Sequence, residues 1–492
     1  MADRPPPPAG ASLLVRGAAV LLTGTPGAAM RRDAALEGTD LRIRDGRIEA
    51  IGRLAPRAGE ALLDASGCVV QPGWVNTHHH LFQSLLKGVP EGIDLPLLPW
   101  LAAVPVSYRR HFDHERALRV AARVGLVELL RSGCTTVADH PYHYWPGMPF
   151  DATAAVFDEA RSLGLRLVLC RGGQTLRRAV DAGDSPQCAP EPLDAMLAAI
   201  GHDVRRFHDP APDAMQRVVV APTTPTWSVT PGELREIARA ARAMGVRLHS
   251  HLSETADYVR YCREVHGCSP VAFVERHEWL GPDVWFAHMV HLSAPEIRTI
   301  AGSGTGVAHC PQSNGRLGSG IAPVPALLAA GAAVSLAVDG AASNEAADLL
   351  SEAHACWLTH RAAGGAAALR TDDVVAIGTS GGARVLGLPR VGTLAPGMAA
   401  DLAVWALDDP RFFGLHDPAV ATVASGGRPR LKALLVAGRT VVEDDRIPGL
   451  DLAALGREAA ELVATMRAAH RPLGVSSGRA PRTATGAISG SP

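Results

Sequence analysis

One recurrence constrains this chain more than any other feature. Short apolar segments return at intervals through its middle: residues 68–75 (CVVQPGWV), 135–140 (TTVADH), 166–172 (RLVLCRG), 217–223 (RVVVAPT), 247–253 (RLHSHLS), 284–290 (VWFAHMV), 305–310 (TGVAHC) and 334–339 (VSLAVD). Continuous apolar runs of this length read as strands buried on both faces. Helical patterns lie between many of them. Residues 115–131 carry apolar side chains at helical spacing, and so do residues 233–244 (ELREIARAARAM). Eight buried strands alternating with helices specify an α/β fold with a parallel (β/α)8 barrel of the TIM type. Functional side chains of such barrels stand at the C-terminal ends of the strands, and the polar residues of this chain fall there.

The first segment runs into Asn76-Thr77-His78-His79-His80, with Gln83 just beyond. Alternate side chains of a strand share a face, so His78 and His80 point the same way and can share one metal ion, while His79 points elsewhere. Segment five carries His249 and His251 and is followed by Glu254. Segment six carries His288, with His291 beyond. Segment seven carries His309, and segment eight ends Asp339-Gly340. Singly, a buried histidine is more often a hydrogen-bonded core residue, and an Asp-Gly pair is usually a turn. Three or four histidines and an aspartate gathered at the ends of strands one, five, six and eight match a nitrogen/oxygen metal site.

With these residues in place, the chain resembles the amidohydrolase superfamily, in the branch of cytosine/guanine deaminases and triazine hydrolases. The resemblance runs over about residues 12 to 450. It is carried by PGWVNTHHHLFQ at 72–83, HLSE at 251–254, AHMVH at 287–291, HCPQSN at 309–314, VDGAASN at 338–344 and GTLAPGMAADLAVW at 392–405. It implies His78, His80, His251 and Asp339 as metal ligands, Glu254 as proton shuttle, His288 as the group that polarises the attacking water or the tetrahedral oxygen, and Gln83 as a substrate contact. His249 shares the face of His251 and stands open between a supporting role and a core role. The implied chemistry is hydrolytic deamination. A divalent ion lowers the pKa of its water, Asp339 takes the proton, and Glu254 protonates a ring nitrogen and then the leaving amine. A glutamate acting off the metal matches the division of labour in zinc deaminases. Binuclear members of the superfamily hold a carboxylated lysine at the end of strand four. Residues 217–224 (RVVVAPTT) contain no lysine, so one divalent ion is expected, zinc first, with iron also suited to imidazole and carboxylate.

Substrate choice is read from the loops. Trp100 follows strand one. His140, Tyr142, His143, Tyr144 and Trp145 follow strand two. Thr223, Thr224, Thr226 and Trp227 follow strand four. Aromatic residues form only 4% of the chain, so this clustering counts, and flat aromatic walls suit a planar heterocycle. The amide of Gln83 can both donate to and accept from a ring lactam. Gln83, Trp100, Thr224 and Trp227 are therefore the expected substrate contacts. Within the branch the pattern is most similar to isoxanthopterin (pterin) deaminases, with 8-oxoguanine and guanine deaminases, hydroxytriazine hydrolases and cyclic-amide hydrolases of the imidazolonepropionase type as neighbours.

The chain ends supply the second domain. Strand and turn signals over residues 12–22, 41–68, 401–407 and 432–443 are most economically one β-sandwich built from both termini. The expected division is 1–69 and 389–450 for the sandwich, 70–388 for the barrel, 451–470 for a terminal helix packing on the sandwich or a second subunit, and 471–492 for a disordered tail, with 5–8 disordered as well. A formal net charge of −1 gives no electrostatic case for nucleic acid or acidic membranes. Eight scattered cysteines without a C-x-x-C pair indicate neither disulfides nor a zinc ribbon. Four prolines at 5–8 exclude a signal-peptide core, and no apolar run is long enough to span a bilayer. The expected setting is the cytoplasm. The expected partners are a small planar heterocycle and further copies of the chain, as a dimer or larger homo-oligomer.

Overall fold

The computed structural model describes residues 12–25, 39–178, 181 and 185–470; the disorder expected at 5–8 and 471–492 lies outside them. Eight strands, Trp74–His79, Cys134–Asp139, Arg166–Gly173, Gln216–Pro222, Leu248–Leu252, Val284–His288, Gly306–His309 and Ala333–Leu336, pair in parallel in chain order. A parallel bridge between His79 and Asp339 joins the last strand to the first, and the Asp339 N–H donates to the His78 carbonyl at 3.1 Å. The two ends of the active-site motif set are thus clamped together by the closure of the ring. Alternation divides the strand side chains. Val75, Ala138, Cys170, Ala221, Trp285 and Ala308 form one core cluster, while Val137, Leu169, Val220, Phe286 and Val307 belong to the cluster that packs under the helices.

The helices form where their sequences stop them fraying. Glu115–Arg131 begins on His114, whose side chain accepts from the Ala117 N–H. Pro231–Ala243 begins on a capping box between Thr230 and Glu233, which satisfies two orphan N–H groups at once.

The apolar run at 68–75 divides differently from the sequence expectation of one strand. Cys68–Pro72 pairs antiparallel with Leu402–Ala406 outside the barrel, and Trp74–His79 enters it. The chain crosses between the two at Gly73, where a Cβ would lie 2.2 Å from Thr135 Cγ2. Only glycine permits that approach.

The flanking sandwich does draw on both termini. One sheet runs Arg439–Glu443, Arg430–Val436, Leu402–Ala406, Cys68–Pro72, Val20–Leu21. The other runs Arg47–Gly52, Thr39–Arg44, Ser12–Ala18, Ala61–Asp64. Val15, Leu41, Ile43, Val70, Leu402 and Leu435 share the core between them. A buried ion pair, Arg166 to Asp401 at 2.9 Å, ties barrel strand three to the sandwich.

The terminal helix Leu452–Ala469 packs on the barrel helix Glu115–Arg131 of its own chain, a seat that the sequence reading did not name. Leu455, Leu462 and Met466 are its buried residues. Arg116 reaches Glu458 at 3.1 Å and Glu461 at 2.9 Å. Exposed pairs of this kind contribute little, so the apolar face holds the helix. No helix among the described residues is long and apolar enough to cross a membrane.

Candidate active site

Four side chains from three strand ends converge at the mouth of the barrel. Each imidazole is aimed by its far nitrogen. His80 Nδ1–H donates to the His140 carbonyl at 2.7 Å, and His251 Nδ1–H donates to the Thr223 carbonyl at 2.6 Å. His249 Nδ1–H donates to the Trp285 carbonyl at 3.0 Å. That leaves His249 Nε2 to accept from His78 Nδ1–H at 2.8 Å. With the Nδ1 protons so committed, the Nε2 atoms of His78, His80 and His251 carry lone pairs. These lone pairs face one another and a carboxylate. His80 Nε2 is 3.3 Å from His251 Nε2 and 3.2 Å from Asp339 Oδ1, and His78 Nε2 is 3.3 Å from the same oxygen. Burial, the largest influence, holds His78 and His251 well below the ordinary imidazole value, so both stay neutral.

Acceptors this close with no proton between them repel unless a cation lies among them. The donor set therefore fits a divalent ion, of the kind that imidazole and carboxylate favour. Asp339 is fixed on its other side, where Oδ2 accepts from Ser313 Oγ at 2.6 Å and Ser343 Oγ at 3.2 Å. His79 points away from this centre and bonds the Asp339 backbone carbonyl, which is the strand parity read from the sequence. No lysine joins the cluster from strand four.

Glu254 and His288 face each other across the cleft, with Oε2 3.7 Å from Nε2. His288 Nδ1–H donates to Asn314 Oδ1 at 3.0 Å, which turns Nε2 toward the reacting region. Burial pushes Glu254 up to about 7, with His288 opposing the rise and Asp339 adding to it. A carboxylic acid near neutrality is suited to give and take a proton at physiological pH. The backbone pays for these positions. Ser253, His288 and Asp339 have φ of 51°, 74° and 63°, left-handed values that non-glycine residues adopt only under constraint.

The same cleft is lined by His80, Gln83, Trp100, Thr224, Trp227, His251, Glu254, His288 and Asp339. His78 lies fully buried beneath it. Gln83 Nε2 donates to the Tyr142 hydroxyl at 2.7 Å, while its Oε1 is buried without a partner among the described residues. Gly340 packs against that amide: a Cβ there would come within 2.0 Å of Gln83 Oε1. Trp100 Nε1 is likewise buried without a partner among the described residues.

The aromatic loop after strand two contributes less than its composition promises. Tyr142 lines the cleft, but His143 and Tyr144 stack on each other. The Arg171 guanidinium caps the Tyr144 ring at 3.8 Å. Arg178 and Tyr258 also line the cleft and escaped the sequence reading. Arg178 is held by a two-pronged pair to Asp181, at 3.0 and 2.7 Å. It sits in a loop with no strand or motif signal. Tyr258 is one turn into the helix Ala256–His266, just after the HLSE motif, and that adjacency was the available clue.

Comparison with known proteins agrees with this geometry. The amidohydrolase family model matches residues 69–441. An isoxanthopterin deaminase from an unknown prokaryotic organism is 55% identical over 467 residues, 92% of this chain and 96% of that protein. An 8-oxoguanine deaminase of Pseudomonas aeruginosa is 40% identical over 84% of this chain and 92% of that protein. Among solved structures, an amidohydrolase from an environmental sample of the Sargasso Sea superposes with a TM-score of 0.82 at 51% identity, covering 93% of this chain and 99% of that one. The atrazine chlorohydrolase of Arthrobacter aurescens TC1, complexed with zinc, gives a TM-score of 0.84 at 29% identity, covering 92% and 100%. A divalent metal ion is the cofactor this family and this donor set call for. The chain is a hydrolase acting on C–N bonds, a deaminase-type enzyme, and it belongs to the amidohydrolase family.

Proposed function

We propose that the enzyme removes the exocyclic 2-amino group of a bicyclic lactam as ammonia, with isoxanthopterin or pterin as the favoured substrate. The observation that carries this reading is the pairing of two ends in one cleft. At one end are four converging metal donors beside a carboxylic acid near neutrality. At the other is a buried amide, Gln83, whose Oε1 has no partner among the described residues. The 55% identity to an isoxanthopterin deaminase supports the bicyclic choice. The 40% identity to an 8-oxoguanine deaminase makes oxopurines the second substrate class.

His78, His80, His251 and Asp339 would hold one divalent ion, zinc by preference. When bound, such an ion supplies Lewis acidity and a nucleophile derived from water at neutral pH. The chain's own groups do the rest. Gln83 and Tyr142 orient the lactam edge, and Trp100 and Trp227 bound the ring. Glu254 gives its proton to the ring nitrogen beside the amino-bearing carbon, which makes that carbon electrophilic. Asp339 accepts the proton of the attacking water. His288 Nε2, left with its lone pair while Nδ1–H is held by Asn314, can accept a hydrogen bond from the attacking water and orient it. Glu254, once deprotonated, moves the proton that the departing amine needs, so water and substrate yield the lactam and ammonia. Positioned proton transfer of this kind contributes roughly 10²–10⁴ in rate.

The test is ammonia release by the purified enzyme across pterins, oxopurines, hydroxytriazines and adenosine derivatives. Isoxanthopterin or pterin should give the highest kcat/KM. Efficient turnover of an adenosine derivative, with none on any pterin or oxopurine, would overturn the substrate assignment while leaving the donor geometry intact. Size measurement of the same preparation in solution tests the homo-oligomer we expect.

A further inference from the structure

A second group of soft donors lies outside the barrel interior. Strand alternation that puts Cys310 with the interior cluster turns its neighbour His309 outward with Val307, under the helices. The helix Leu349–Gly364 crosses there, and Cys356 and His360, one turn apart, share its inner face. The two Nε2 atoms of His309 and His360 are 3.1 Å apart. The ligand atoms of all three residues lie within 4.8 Å of one another. All three side chains are buried, at 1%, 0% and 3% exposure for His309, Cys356 and His360.

This cluster is poorly explained as ordinary packing. Buried polar atoms normally find partners. Here His309 Nδ1 has none among the described residues, and the two rings can satisfy each other through one proton only. Glu352, one turn before Cys356 on the same helix, is fully buried with Oε2 unpartnered among the described residues. Its Oε1 accepts from the Gln312 N–H at 2.9 Å. Two imidazoles, a thiol and a nearby carboxyl are the composition of a nitrogen/sulfur metal site.

We propose that His309, Cys356 and His360 form a second metal-binding site, for a zinc-like soft cation, distinct from the catalytic centre. With metal–nitrogen bonds of about 2.0–2.1 Å, a metal–sulfur bond of about 2.3 Å and tetrahedral angles, two nitrogens stand about 3.4 Å apart and nitrogen and sulfur about 3.6 Å apart, so the 3.1 Å nitrogen pair already fits and the thiol, within 4.8 Å of both, closes on the ion by a shift of about 1 Å or less. Binding replaces the S–H bond by a sulfur–metal bond and releases one proton to solvent. The rings are already neutral, because burial keeps both low, and they give up none. Burial keeps Glu352 protonated before binding; its ionisation, which sends a second proton to solvent, would balance the remaining positive charge. The set differs from the catalytic donors by its sulfur, and that difference makes the site observable.

The test uses the zinc-loaded holoenzyme. After zinc supplementation and desalting, X-ray absorption at the zinc edge should show one sulfur scatterer on part of the metal, which the three histidines and one aspartate of the catalytic centre do not supply. A parallel preparation of the holoenzyme supplemented with cobalt(II) in place of zinc should give a thiolate-to-metal charge-transfer band. Cys356→Ser and His360→Ala should each remove that band and one equivalent of retained metal, with deaminase activity kept. A supplemented wild-type enzyme with only nitrogen and oxygen around its zinc, or a band that survives Cys356→Ser, would overturn the proposal. The wild-type spectrum decides the matter even if either variant folds poorly.

Discussion

The two ends of the cleft are built on different principles. At the proposed metal end every candidate donor has a second partner: His80 on the His140 carbonyl, His251 on the Thr223 carbonyl, His78 on His249, Asp339 on Ser313 and Ser343. At the substrate end the protein leaves Gln83 Oε1 and Trp100 Nε1 buried without partners among the described residues. Groups that already hold their orientation need no reorganisation as charge develops. Groups that stay unpaired until a ligand arrives discriminate strongly against ligands lacking the matching polar edge. The first end should therefore govern whether the enzyme works, and the second should govern on what.

The largest expected effect is at the metal end. Asp339→Asn can still accept from Ser313 through its amide oxygen but removes the negative charge that stands 3.3 Å from His78 Nε2 and 3.2 Å from His80 Nε2. Activity should fall to background, and metal content measured after gel filtration should fall with it. Full metal occupancy with only a mild rate loss would break the claim that this carboxylate is both ligand and proton acceptor.

Glu254→Gln comes next and separates chemistry from binding. It should retain the metal and cost about 10²–10⁴ in kcat, the value of a positioned proton transfer. The pH profile carries the same information. Glu254 is neutral below about 7 and ionised above it, and the first step spends its proton. kcat/KM should therefore fall as pH rises through that region, with the limb moved to lower pH by a bound dication, which favours the carboxylate. A profile unchanged in the Gln variant would assign the limb to another group.

How much of this was legible differs between the two ends for a physical reason. Strand parity and strand-end position determine where His78, His80, His251 and Asp339 point, and both are local properties of the sequence. The barrel and its eight strands followed from the same periodicity. Substrate contacts depend on loops, and loop side chains answer to neighbours far away in sequence. Tyr144 was read with Tyr142 as a possible wall, but Arg171 from strand three holds it away from the cleft. Arg178 was invisible because its partner Asp181 and its loop have no periodic signal. The break at Gly73 was hidden for a related reason. Both halves of the run are equally apolar, and only the nearness of Thr135 shows why the chain turns there.

The substrate end should give a smaller and more selective effect. Gln83→Ala removes the amide but no metal donor. A hydrogen bond to an uncharged lactam edge is worth about 0.5–1.5 kcal/mol, and more when its loss strands a buried group, so kcat/KM on the preferred heterocycle should drop about 10-fold to 100-fold at unchanged metal content. The ratio between lactam and non-lactam substrates should shrink. Equal losses on both kinds of substrate would mean that Gln83 supports the fold of the cleft and does not read the ring.

The smallest expected effect tests the comparison at its least obvious joint. His249 touches nothing in the cleft, yet it accepts the Nδ1 proton of His78 and is itself fixed by the Trp285 carbonyl. Partners of this type hold a ligand's tautomer and ring orientation, and their loss weakens metal affinity by about 10-fold to 100-fold. His249→Ala leaves His78 Nδ1–H buried and unpaired, so the ring can turn and offer the metal a proton instead of a lone pair. The variant should lose metal to a chelator faster than wild type, while kcat at saturating metal stays close to the wild-type value. His249→Gln can still accept through its side-chain oxygen, and it should recover part of the affinity. Chelator competition therefore ranks wild type, Gln and Ala in that order. If Ala and Gln lose metal equally while both unfold at lower temperature, His249 is a packing residue and the metal end owes its order to its other partners alone.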